Sequence, residues 1–352
     1  MKKLKKMKVR KKKWKKKMKT NISTREPPKK RRRGRPPLNN SNKKGKSVAK
    51  KKDRDKRVSS CPYPWPKKKL VLYLQRLHIS SSILAGEKHV YCRTNSHNKC
   101  LKDWKLTKRQ KKILDSCGFK YLRKIIGFTM DNSLVNLVDR WRPGTSTFHF
   151  PQFEMTITLE DVCWILRLKP WGLPVTGSYD VQVLGALEEY LGVDYESLDV
   201  SGMLGITGKG NCVKLTWLRA TFSKLPKNLT DVDFSRHTVL YMLYLLGSTI
   251  FSESGGGQVN VKYLPLLSNI SQCGGYAWGA SALAYLYRIM DRYVYYNGMI
   301  NLSGSGVLLT TWAYERINIA RSDMGTIRRG GDDEEDLDAP VWRRFPRAFM
   351  WM

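Results

Sequence analysis

The sequence lacks the features that mark secreted and membrane-spanning proteins. Its seven cysteines include no CxxC pair and no even framework for disulfides, a pattern that favours a reducing intracellular compartment. The N-terminus has no apolar core of the kind found in signal peptides. The longest apolar run, residues 238–251, is shorter than the ~20 residues that a membrane helix needs. We therefore expect a soluble intracellular protein that engages no membrane.

Acidic residues are also scarce, most of all at the N-terminus. The 352-residue chain has 65 Lys and Arg against 29 Asp and Glu, a net charge of +36. Residues 1–60 contain 29 of those cations and three acids, so this segment carries +26 and leaves +10 for the rest. Like charges at this density repel one another, which predicts a disordered basic tail. Two roles are open for it: a solubilising or localising segment, or direct contact with nucleic acid.

The most specific motif of the tail is PPKKRRRGRPPL, residues 27–38, which resembles an AT-hook. Gly34 has no side chain, so the backbone there can approach the floor of a narrow minor groove, with Arg33 and Arg35 lying along it. Pro36 keeps the chain extended, whereas Arg32 stands where such motifs often have a proline. The residues predicted to bind A/T-rich DNA are Arg31, Arg32, Arg33, Gly34, Arg35 and Pro36. The same basic cluster also predicts import into the nucleus.

Residues 61–105 are interpreted as a linker or variable segment. Within them, residues 70–84 fit either a strand or a short amphipathic helix. Four potential zinc ligands of the right donor types follow, namely His89, Cys92, His97 and Cys100. Only four basic or polar residues separate the two HxxC pairs, which is a tight loop for a tetrahedral site. A loop with incidental Cys and His is therefore favoured over a zinc site.

From residue 106 onward, apolar residues recur at helical spacing. The segment 236–251 is apolar nearly all round, as expected of a central buried helix, and Trp312 is expected in the core. The predicted helices are residues 107–126, 179–191, 215–222, 236–251, 278–295 and 307–317. The cations between the apolar residues of 107–126 are interpreted as an ordinary solvated face.

Residues 134–177 are the stretch around which this body is organised. They open with a predicted helix that carries Leu134, Leu137, Val138 and Trp141 and that Pro143 and Gly144 should end. Trp141 is expected in the core. In residues 147–158, apolar and polar residues alternate in patches, which predicts a hairpin with Pro151 at its bend.

A capped helix is predicted to follow the hairpin. Thr158 occupies the N-cap position, Asp161 completes an imperfect capping box and Glu160 lies in the first turn. The helix carries Val162, Ile165 and Leu166, and Pro170 should end it.

Catalytic signatures are missing from the body. The GITGKGN segment lacks the GxxxxGK[ST] spacing of a phosphate loop, and no paired carboxylates or Ser/His/Asp order stand out. His149, between two phenylalanines, and His237, at the start of the central helix, are interpreted as structural. We expect no enzymatic activity and no cofactor.

Residues 139–168, DRWRPGTSTFHFPQFEMTITLEDVCWILRL, are similar to the signature of the plant mobile domain family. This family is also called "aminotransferase-like, plant mobile domain" and includes the Maintenance of Meristems proteins. Later blocks agree in order, namely LTWLRATFSKLP, YMLYLLGSTIF, VKYLPLLSNI, YAWGASALAYLYRIM and LLTTWAYERI. The resemblance covers residues 106–352. The chain ends soon after WAYERI, where the family usually runs on, which indicates a truncated or diverged copy.

The expected architecture is mostly α, with one large helical domain that contains a short β-hairpin and follows the disordered tail. Despite the family label, no lysine here has the setting that pyridoxal chemistry needs. The resemblance implies transposon-derived genes, gene silencing and meristem maintenance. It also implies nuclear protein partners, with a phosphatase-like protein as one candidate. We predict a nuclear, non-enzymatic, DNA- or chromatin-associated protein; the alternative is a protein–protein adaptor whose tail only localises it.

Overall fold

The computed structural model describes residues 74–85, 92–94, 98–150, 152–177, 183–192, 211–225, 229–253, 257–295, 301–317 and 347–348. All of them belong to one compact unit that begins after Pro62. The basic tail, the glycine-punctuated segment 202–210 and the acidic run 332–338 lie outside the described residues.

The described part of the chain is mostly helical, as predicted. Its α-helices are α1 (Ile79–Leu84), α2 (Lys108–Ser116), α3 (Lys120–Lys124), α4 (Asn132–Val135), α5 (Leu159–Leu166), α6 (Val183–Leu191), α7 (Leu215–Phe222), α8 (Asp231–Thr249), α9 (Leu264–Ser268), α10 (Ile270–Cys273), α11 (Trp278–Tyr295) and α12 (Gly306–Arg316). Short 3-10 helices are Gln75–Leu77, Asn98–Asp103, Asn136–Arg140 and Val261–Tyr263. No helix in these ranges is both long and apolar enough to cross a membrane.

Two helices organise the core. The predicted central helix is α8, in which every residue from Thr238 to Thr249 is buried. Helices α2, α3, α6, α7 and α9 pack around it. The second is α11, which packs against α1, α5 and β1, while α12 packs on α4 and α5. The core also includes Ile79, Leu101 and Trp104, from the segment before residue 106.

The described strands form two small antiparallel sheets. The first contains β1 (Trp141–Arg142), β2 (Thr147–His149) and β3 (Glu154–Met155), in that order. Its β2–β3 pair is the predicted hairpin, although Pro151 lies outside the described residues. The second sheet pairs β4 (Cys212–Lys214) with β5 (Gln258–Asn260), which the sequence did not reveal.

The prediction that the helix includes Trp141 is wrong. The helical segment ends with the 3-10 turn Asn136–Arg140, before Pro143, and Trp141 begins β1 opposite Phe148. Trp141 is nevertheless fully buried, as expected. A strand of two residues has no periodicity of its own, so only its pairing with β2 identifies it.

The single helix predicted for residues 107–126 is also wrong, because Gly118 divides it into α2 and α3. Gly118 has φ +84°, a conformation that glycine adopts without a Cβ clash. Its N–H donates to the carbonyl of Asp115 at 3.1 Å, and the N–H of Phe119 donates to that of Leu114 at 2.8 Å. This pair of bonds is a Schellman motif, which ends a helix.

Candidate interaction surface

The sites predicted from sequence lie largely outside the described residues. This applies to all six AT-hook residues and to His89 and His97. Cys100 is half-buried, and Cys92 is buried so deeply that the pKa of its thiol rises to about 12. Zinc binds the thiolate, which a raised pKa disfavours. Within the described ranges, no three His, Cys, Asp or Glu side chains form a group that could hold a metal ion.

His149 and His237 contact neighbouring side chains. The Nδ1 of His149 lies 3.1 Å from the Oε1 of Glu154, across the β2–β3 hairpin. The ring of His237 meets the ring of Phe222 edge-on at 6.0 Å, and burial lowers its pKa. Contacts of this kind are typical of histidines with a structural role.

Helix α5 begins with the capping box predicted from the sequence. The Oγ1 of Thr158 accepts from the N–H of Asp161 at 3.2 Å, and the Oδ2 of Asp161 accepts from the N–H of Thr158 at 2.9 Å. The helix then buries Val162, Ile165 and Leu166. It ends at Arg167, with φ +54°, three residues before the predicted stop at Pro170.

The other carboxylate oxygen of Asp161 binds the end of α12. Its Oδ1 accepts from the Nη2 of Arg316 at 2.6 Å and from the Nε at 3.2 Å. The hydrogen bond raises the pKa of Arg316, which keeps the guanidinium charged. Both oxygens of Asp161 are therefore engaged in structure, which leaves the group poorly placed to act as a general base.

A cleft of about 300 Å³ opens beside this ion pair. Arg347 closes one side of it and makes a bidentate ion pair with Glu315, at 2.7 and 3.1 Å. The lining residues are Asp161, Trp164, Ile165, Glu315, Arg316 and Arg347. We call this site the α5–α12 cleft; it combines paired charges with one large aromatic side chain.

Trp164 is the most unusual residue of the cleft, because 44% of it is exposed. The guanidinium of Arg167 lies 5.0 Å from its ring centroid, within cation–π range. Trp171 is 66% exposed and Leu173 52%. Five of the eight exposed large apolar residues in the described ranges lie between residues 153 and 173. Exposed aromatic residues beside arginines are typical of protein–protein interfaces.

The arrangement suits the binding of a protein segment better than catalysis. The charges of the cleft are paired, and Trp164 offers an apolar surface with an N–H donor. Trp164 is not among the surface residues predicted from the sequence. A signal was present, since Trp164 falls off the buried stripe of Val162, Ile165 and Leu166.

Comparison with known proteins places the chain within a family. The family model for the plant mobile domain matches residues 118–351. Three proteins of Arabidopsis thaliana are similar. MAIN-LIKE 2 is 37% identical over 82% of the chain, MAIN-LIKE 1 is 40% identical over 78%, and MAINTENANCE OF MERISTEMS is 36% identical over 80%. The chain spans only 40%, 54% and 54% of their respective lengths. No solved structure matches significantly.

Proposed function

The chain belongs to the plant mobile domain family, and we propose that it is a nuclear, non-enzymatic protein that binds A/T-rich DNA through its tail. The observation that carries the proposal is the Arg33-Gly34-Arg35-Pro36 core within a segment of net charge +26. Bulk affinity comes from lysine contacts with phosphates, and sequence preference from arginines in a narrow minor groove. One relative is named for the maintenance of meristems, and meristem maintenance and transposon silencing are the processes proposed for this chain.

The different physical origins of the two contributions allow a direct test. Replacing Arg33 and Arg35 with Ala should narrow the affinity gap between A/T-rich and G/C-rich duplexes. Replacing two tail lysines, Lys11 and Lys12, should weaken both duplexes alike and flatten the salt dependence. The measurement is a titration of the full chain and both variants on both duplexes at two salt concentrations. Equal behaviour of the two variants would refute the AT-hook interpretation.

Nuclear import is tested separately. A fluorescent reporter joined to residues 1–60 should accumulate in the nucleus, because KKRRRGR is a typical import cluster. A reporter that stays in the cytoplasm would contradict this part of the proposal.

The second candidate function is that of a protein–protein adaptor, which the exposed Trp164 and Trp171 favour. In that case the tail would only localise the chain. Replacing both tryptophans with Ala should then reduce recovery of nuclear partner proteins while duplex affinity stays unchanged. A phosphatase-like protein is the first partner to look for. A full chain that enters the nucleus but binds no duplex at physiological salt would favour the adaptor over the DNA-binding protein.

A further inference from the structure

The positive charge of the helical body is concentrated in one short stretch. Residues 98–126 contain ten Lys and Arg against two acids, a net charge of +8. Because residues 61–352 together carry +10, this stretch accounts for most of their net positive charge. It comprises the 3-10 helix Asn98–Asp103 together with α2 and α3.

Packing on the central helix turns these charges outward. All three segments pack against α8. The ring of Trp104 meets the rings of Tyr241 and Tyr244 at 5.4 and 5.8 Å. Leu114 of α2 and Leu122 of α3 are fully buried. Since apolar side chains occupy the inner positions, the cations take the outer ones.

The outer sides of α2 and α3 adjoin. Lys108 and Lys112 lie one turn apart on α2, and both are exposed. The Nε of Arg123, on α3, lies 3.5 Å from the Oδ1 of Asp115, on α2. This ion pair holds the two helices side by side.

Lys120 and Lys124 lie one turn apart on α3, with their Nζ atoms 5.6 and 5.9 Å from the ring centroid of Tyr121. We call these two lysines, the two exposed lysines of α2 and the exposed lysine that precedes α2 the lysine face. Its residues are Lys105, Lys108, Lys112, Lys120 and Lys124.

Nearby acids do not neutralise the α2 side of this face. Asp115 is held by Arg123, and Asp231 of α8 meets Arg109 at 2.8 Å. No carboxylate in the described ranges makes an ion pair with Lys105, Lys108 or Lys112. Like charges one turn apart repel and weaken a helix. The stability of α2 therefore does not explain this arrangement, whereas an anionic partner does.

We propose that the lysine face binds the phosphate backbone of duplex DNA, as a second contact in addition to that of the tail. Lysine is a point charge that suits phosphate without reading sequence. Two cationic surfaces on one chain favour one extended polyanion, because binding by either raises the local concentration at the other. The inference rests on the proposed function, since that function supplies DNA as the ligand of the tail.

The test compares two triple variants of the full chain with equal changes in net charge. The first carries Lys105→Gln, Lys108→Gln and Lys112→Gln. The matched control carries Lys169→Gln, Lys224→Gln and Arg292→Gln, at exposed positions on other segments. Affinity for a G/C-rich duplex is measured over a range of salt concentrations. Thermal melting of both variants confirms that they are folded, as substitutions at exposed positions should permit.

The lysine-face variant should lose affinity roughly tenfold or more at low salt, because each phosphate contact contributes about 0.9 to the salt slope. The slope should fall by up to about 2.7. The control should change both quantities much less. A second variant on α3, Lys120→Gln with Lys124→Gln, should also lower the affinity and the salt slope. Equal affinities and slopes for the lysine-face and control variants would overturn the proposal.

Two further measurements distinguish this proposal from the AT-hook proposal and from binding of an acidic peptide. The ratio of affinities for A/T-rich and G/C-rich duplexes reports on Arg33 and Arg35, and the lysine-face variant should leave it unchanged. The AT-hook and the lysine face can therefore fail independently. Poly-glutamate provides the alternative ligand, an acidic peptide. If the lysine-face variant loses affinity for poly-glutamate but binds duplex DNA like the control, the surface is a protein-binding one and the proposal is overturned.

Discussion

The Nε2–H of His78 donates a hydrogen bond of 2.7 Å to the backbone carbonyl of Trp141, which joins the start of α1 to the first strand. Because a carbonyl oxygen only accepts, Nε2 carries the proton and Nδ1 is free to accept. Nδ1 accepts from the N–H of Ser80 at 3.1 Å and so caps α1. Burial, with a smaller contribution from the charge of Arg142, lowers the pKa of His78 to about 4. The fold thus requires the neutral ring.

We expect His78 to make the protein less stable in acid. The pKa of this histidine is near 6.5 when unfolded and about 4 when folded, so the unfolded state binds more protons between these values. The contribution of the neutral His78 ring to the free energy of unfolding is complete above pH 6.5 and is lost as the pH falls towards 4. The loss amounts to about 3 kcal/mol. Urea denaturation at pH 7 and pH 4.5 measures the loss. His78→Gln should show a smaller loss than the unmodified chain; equal losses would contradict the prediction.

Asp161 should contribute to stability through two separate interactions. Asp161→Ala removes the bond from the N–H of Thr158, which is the side-chain half of the capping box, and the ion pair with Arg316, so the free energy of unfolding should fall by ~1–3 kcal/mol. Arg316→Gln removes only the ion pair, whose arginine is half exposed, and should cost less than ~1 kcal/mol. Chemical denaturation of both variants separates the two contributions. A larger loss for Arg316→Gln than for Asp161→Ala would show that the cap contributes little.

Trp141 and Trp312 should be essential to the core, since 0% and 1% of them are exposed. The Nε1–H of Trp141 also donates to Asp291 at 2.7 Å, and the ring of Trp312 stacks on Phe148 at 5.1 Å. Replacing either with Ala should cost ~3–5 kcal/mol. Trp171→Ala, at an exposed position, is the control and should change stability by less than ~0.5 kcal/mol. Thermal melting checks all three, and an unchanged melting temperature for a core variant would contradict the packing.

Gly247 should tolerate no side chain, because α8 passes close to β5 at this point. A Cβ there would lie 2.4 Å from the Cβ of Val259, which is fully buried and cannot move aside. Gly247→Ala should therefore destabilise the protein by ~1–3 kcal/mol. Gly185→Ala is the matched control on α6, where an added Cβ meets nothing within 4 Å. This variant should raise the free energy of unfolding by ~0.5–1 kcal/mol. The free energies of unfolding of the two variants should thus change in opposite directions.

Features set by neighbouring residues could be predicted from the sequence. The bounds of α7 and α11 match the predicted helices at both ends, and the Thr158–Asp161 capping box is confirmed. In α11, Leu286 and Met290 are buried whereas Ala284 is exposed. Helical spacing gives the elements reliably, but which stripe faces inward depends on the neighbours that cover it.

By itself, the sequence determined the helical class, the β2–β3 hairpin, the capping box of α5 and the burial of Trp312, because caps and apolar periodicity act within a few residues. Only the tertiary structure decided that Trp141 lies in a strand. It also packed the lysine-rich helices α2 and α3 against each other and against α8. Each of these depends on contacts between segments far apart in the chain, such as β1 with β2 and α2 with α8, and no local pattern encodes such a contact.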